Sequence, residues 1–114
     1  MTDDRFIEPA ETDFLETFGA ERVPLPDSVG AFRVRIDSDP ENALELTYDV
    51  IARSVRIRWT RGTEPVADLY REQVSRLSVG GDGVLTVLSG VPELASELTV
   101  AVYPIRISDV QLAR

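Results

Sequence analysis

Between Ala31 and Thr60 apolar and polar residues alternate almost one for one, and this period of two constrains the fold more than any other feature of the chain. Phe32, Val34 and Ile36 alternate with Arg33 and Arg35. Leu44, Leu46 and Tyr48 alternate with Glu45 and Thr47, and Val55, Ile57 and Trp59 with Arg56, Arg58 and Thr60. Successive side chains of a strand point to opposite faces, so each run reads as a strand with one face in a core and one in water. The turn Asp37-Ser38-Asp39-Pro40-Glu41-Asn42 is built of turn-forming residues. The connector from Asp49 to Arg53 is too short for the crossover that a parallel pair requires, so the three strands are expected as antiparallel neighbours.

Residues 1–9 are polar and expected to fray, leaving 10–114 as one globular domain. A helix is expected over about 10–18: Pro9 stands near its start, Glu11 and Asp13 in its first turn, and Phe14 and Phe18 on one face. Gly19 then supplies the stop. Two prolines at alternate positions make Val23–Ser28 an extended connector. Residues 64–79 fit two patterns. Val66, Leu69, Tyr70, Val74 and Leu77 share a face at helical spacing, with Glu72 and Arg76 as an i,i+4 pair, while Arg61-Gly62-Thr63-Glu64 looks like a hairpin turn leading into two further strands. Gly80-Gly81-Asp82-Gly83 is a tight turn, followed by strands near 84–88 and 98–103 and a last one beyond Pro104, which there implies an edge or bulge. The fold class is thus β-rich α+β: an antiparallel, meander-like sheet of about six to eight strands with one N-terminal helix packed on it, and 64–79 as either a second helix or two strands.

Composition narrows the chemistry. The 114 residues include no histidine, cysteine or lysine; all twelve basic residues are arginine, a bias that a GC-rich genome produces unaided. There is no imidazole base, no thiolate, no amine for a Schiff base and no disulfide framework. A net charge of −8 argues against nucleic acid and anionic membrane as partners, both of which favour a basic face. No apolar run reaches the ~20 residues of a membrane span. The start, Met1-Thr2-Asp3-Asp4-Arg5, lacks the features of a signal peptide, and the expected compartment is the cytoplasm.

Each recognisable motif has a local explanation. Asp37, Asp39 and Glu41 have the spacing that opens a calcium loop, but Asn42 and Tyr48 occupy the positions where that loop needs glycine and glutamate, so a solvated turn is expected and no metal. The glycines at 80, 81 and 83 lead into a strand and not a helix, which removes the phosphate-binding reading. Ser89 has no surrounding nucleophile elbow and no histidine as base. Asp49, Asp68 and Glu72 could meet in space as a minimal carboxylate pair, although nothing in their spacing singles them out. Tyr48 and Trp59 share the parity of the core residues and are expected as core anchors. No catalytic residue and no cofactor are expected.

Function is then expected to reside in a surface. The leading expectation is a non-catalytic protein-binding module, a small acidic inhibitor or immunity-like protein that blocks a basic partner. The acids available for such a surface are Glu8, Glu11, Asp13 and Glu16 near the helix and Asp37, Asp39 and Glu41 in the turn. The alternative face is Arg33, Arg35, Arg56 and Arg58 on the solvent side of the sheet. Glu45, Thr47 and Asp49 lie between them on the middle strand, so an ionic ladder is expected there in preference to a grip on an acidic ligand. The other function class is a small-molecule binder or minimal carboxylate enzyme using a cleft between helix and sheet.

Overall fold

The computed structural model describes residues 5–113. Among these residues one helix, α1 (Glu11–Phe18), is followed by nine strands: β1 (Arg22–Pro24), β2 (Ala31–Asp37), β3 (Asn42–Asp49), β4 (Ser54–Arg61), β5 (Glu64–Arg71), β6 (Val74–Gly80), β7 (Val84–Val91), β8 (Leu94–Val102) and β9 (Ile105–Ala113). Every consecutive pair within a sheet is antiparallel. The meander is divided between a five-stranded sheet in the order β1-β2-β3-β4-β5 and a four-stranded sheet in the order β6-β7-β8-β9. Division into two layers follows from burial: each sheet has one apolar face, and two such faces are removed from water by packing on each other.

The inward positions of both sheets form one core. Val34, Ile36, Leu44, Leu46, Tyr48, Val55 and Ile57 from the first meet Val74, Leu77, Leu85, Val87, Leu98, Val100 and Val102 from the second. Residues 64–79 are therefore two strands and not a helix, and Glu72 and Arg76 form no helical pair. The strand beyond the expected eight is β1, which occupies part of the extended connector; Arg22, Val23 and Pro24 pair with Val34, Arg33 and Phe32. Its place at the sheet edge explains how Pro24 is tolerated. Pro104 lies in the turn before β9 and not within an edge strand.

The helix closes one side of the sandwich. Its first turn is held by the Asp13 carboxylate, which accepts from the Ala10 N–H at 2.9 Å. It ends at Gly19, whose φ of 63° is the left-handed conformation that glycine adopts at least cost. Phe14 is fully buried and Phe18 packs at the core margin, so the face they share is the one that docks.

Of the stretch expected to fray, residues 1–4 lie outside the described residues, while the rest is tied to the fold. Ile7 donates to the Ser75 carbonyl and accepts from the Leu77 N–H, both at 2.9 Å, adding a single parallel bridge to the free edge of β6. Phe6 stacks on Tyr48 at 5.8 Å.

Candidate functional site

Tyr48 is the hub that fixes this N-terminal segment. Its ring lies within 6.2 Å of the rings of Phe6, Phe14 and Phe32. Its hydroxyl donates to the Glu8 carboxylate at 2.9 Å. Glu8 is also paired with Arg22 at 3.4 Å, and the Arg22 guanidinium stands 4.3 Å above the Phe32 ring. Burial, followed by the hydrogen bond to Glu8, pushes the Tyr48 phenol well above its usual pKa. Through Phe14 of the helix and Tyr48 of β3 these ring contacts join helix and sheet. Trp59 is half-buried against the core and donates from Nε1 to the Asn42 side-chain oxygen at 2.9 Å.

The acids proposed from sequence fall into two groups on different elements, with no hydrogen bond or ion pair among the described residues linking them. On the helix, Glu11 pairs with Arg22 at 3.7 Å, Asp13 is the cap, and Glu16 is exposed. In the β2–β3 turn Asp39 accepts from the backbone N–H groups of Glu41 and Asn42, each at 2.8 Å, and from the Asn42 amide. Those donors, the Glu41 N–H foremost, hold its carboxyl below the usual range. Glu41 pairs with Arg61 at 3.4 Å and Asp37 with Arg35 at 3.5 Å. Ser38 Oγ donates to the Val102 carbonyl and ties this turn to the second sheet. Asp39 thus serves the turn, and no group of three or more acids able to hold a metal occurs among the described residues.

Strand register builds a different surface on the outer face of the five-stranded sheet. Arg35, Glu45, Arg58 and Asp68 lie side by side on β2, β3, β4 and β5, forming one rung of alternating charge. The neighbouring rung is Arg33, Thr47, Arg56 and Tyr70. Arg56 grips Asp68 with two hydrogen bonds, 2.9 Å from Nε and 2.6 Å from an Nη, and Arg58 lies 4.0 Å from both Glu45 and Asp68. The grip of Arg56 lowers the Asp68 pKa, and Asp68 in turn raises that of Arg56. The arginines are therefore held largely as an ionic ladder, with Asp68 of β5 supplying an acid that sequence reasoning did not place because its segment was undecided. Arg33 differs: among the described residues it makes no ion pair or side-chain hydrogen bond. Two shallow depressions lie on this face, one bordered by Arg35, Glu45, Arg58 and Thr60, the other by Arg56, Asp68 and Tyr70.

The carboxylates weighed for catalysis do not converge. Asp49 accepts from the Ile51 and Ala52 N–H groups and caps the β3–β4 turn. Asp68 points outward into the ladder. Glu72, in the β5–β6 link, accepts from the Tyr70 hydroxyl at 3.2 Å.

No protein-family model matches the sequence, and no curated protein matches it closely enough to count as a relative. Among solved structures the chain is similar to one from the contact-dependent growth inhibition toxin–immunity protein complex of Klebsiella pneumoniae 342. The TM-score is 0.76, and the match covers 93% of this chain and 96% of that one. Identity is 15%, so the likeness is one of fold.

Proposed function

We propose that this chain is a protein-binding module of the immunity type, which occupies the working surface of a basic toxin partner in the cytoplasm and blocks it without chemistry. The observation that carries this reading is the near full-length likeness of fold to a chain of a toxin–immunity protein complex. Of the two roles in such a complex, the residue inventory favours immunity. A chain with no histidine, lysine or cysteine lacks the side chains that most often serve as base or nucleophile. The net charge of −8 supports a basic partner, because opposite net charge speeds encounter by steering.

The test is capture of partners from native lysate of the source organism on the immobilised chain, with elution in salt steps. The captured protein is then expressed alone and together with this chain while growth is followed. The expected result is a stoichiometric basic partner released as salt rises, which arrests growth alone and is harmless in co-expression. Absence of a partner at low salt, or growth arrest that co-expression leaves in place, overturns the reading.

A further inference from the structure

The two central rungs of the outer ladder have the same frame and differ at one position. Arg35 and Arg58 flank Glu45; Arg33 and Arg56 flank Thr47. In both, the two arginines stand on strands either side of β3, so their Cα atoms are about 10 Å apart, two inter-strand spacings. In the first rung the space between them belongs to a carboxylate of the protein's own, with Glu45 4.0 Å from Arg58. In the second, the side chain at the centre is a neutral hydroxyl. Charge follows the same pattern. Arg35 has Asp37, Arg58 has Glu45 and Asp68, and Arg56 has Asp68. Arg33 is exposed and left without an acid among the described residues. Arg56 commits Nε and one Nη to Asp68, which leaves its other Nη free to donate. The half-exposed Tyr70 ring closes the rung on the β5 side.

We propose that the partner seats a carboxylate side chain, Asp or Glu, over Thr47 between Arg33 and Arg56, in the place that Glu45 fills one rung away. This rests on the protein-binding reading above and assigns it a docking face. The two charge effects are compatible: the net charge of −8 governs long-range encounter, while one matched pair at the centre of a face fixes register. Guanidinium groups recognise carboxylate and phosphate alike. The protein carboxylate is favoured because this ladder offers one unmatched arginine, which answers one carboxylate, whereas a nucleic-acid backbone meets the repulsion of the whole acidic chain.

The experiment uses the full chain, isotope-labelled for NMR, at low ionic strength. The probe is the blocked tripeptide Ac-Gly-Glu-Gly-NH2, with its glutamine analogue as control and a short oligothymidylate as the phosphate arm. The Arg33 Nε–Hε and Thr47 amide signals should move with the glutamate peptide and stay with the glutamine one. R33Q should weaken binding about tenfold, the effect of losing one charge-assisted hydrogen-bonded contact. T47E recreates the Arg35–Glu45–Arg58 arrangement, so it should melt above T47Q and fail to bind the peptide. Equal response to the glutamine peptide overturns the proposal. So does T47E that binds like the native chain or melts below T47Q, and so does tighter binding of oligothymidylate at the same signals. A captured toxin whose affinity is indifferent to R33Q and T47E removes this docking site and leaves the protein-binding reading standing. A glutamate response at Arg33 with no growth-arresting partner upholds the site and removes the reading.

Discussion

Asp39 and Asp68 both lie at the surface, yet different donors hold them ionised: backbone N–H groups of a turn for Asp39, a two-pronged guanidinium for Asp68. Both pKa values are lowered. A carboxyl that binds its proton less readily when folded favours the folded state wherever it is ionised. That contribution is complete above the unfolded value, about 4, and is lost as pH falls through the lower folded value. NMR titration of the side-chain carboxyls should therefore find both midpoints below the ordinary aspartate value of about 4, and D39N should flatten the acid limb of stability against pH. Gly90 is a separate constraint at this scale. Its φ is 97°, and a Cβ there would stand 2.5 Å from the Leu94 carbonyl oxygen, a backbone atom that cannot swing aside. G90A should cost more than about 1 kcal/mol in urea denaturation, opposite in sign to the stabilisation of about 0.4–1 kcal/mol that alanine brings at an unstrained site.

The N-terminal segment, helix and strands show how far pattern alone carries. Residues 5–9 are held through Ile7 on β6 and Glu8 on Tyr48, so Y48F should loosen the segment while sparing the stacked rings. We expect a loss of about 1 kcal/mol, the net value of one hydrogen bond, and faster exchange of the Leu77 amide that donates to Ile7. F14A, which empties a fully buried position under the helix, should cost about 3–5 kcal/mol by the same denaturation measurement. Strands β2, β3 and β4 were legible because strict alternation has one explanation. The segment 64–79 was not, and the reason lies in β6. Val74 and Leu77 are both buried although three apart, because a bulge between Val74 and Arg76 sets two residues against one on β7. A bulge shifts the period of two by one residue and leaves a spacing of three, which is also the spacing of a helix face. On β5 the burial is too weak to correct the ambiguity: it is an edge strand, with Val66 and Tyr70 each about half exposed. The ladder was legible in the same measure. Arg33, Arg35, Arg56 and Arg58 could be placed on one face from parity, while Asp68 and Tyr70 could be added only once β5 was known to be a strand.

Across the whole molecule, attraction is local and repulsion is spread out. Six arginines, Arg22, Arg35, Arg56, Arg58, Arg61 and Arg71, are paired with acids at short range, and Arg71 of β5 bonds Asp109 of β9 at 2.6 Å and ties one sheet to the other. What remains after this pairing is the excess of acids behind the net charge of −8. Salt acts differently on the two. At physiological ionic strength the Debye length is about 8 Å, so contacts under 4 Å are weakened only in part, while repulsion across a molecule 45 Å long is largely screened. Exposed ion pairs contribute little individually, typically under about 1 kcal/mol, whereas self-repulsion acts on every acid at once. Moving from low salt to physiological salt should therefore stabilise the chain, by on the order of 1 kcal/mol or about 4 °C in Tm at this length. Calorimetry against sodium chloride concentration reads this directly. A Tm that falls with salt would mean that the ladder and the Arg71–Asp109 link outweigh the repulsion, and the R71A variant would then lose part of that salt dependence.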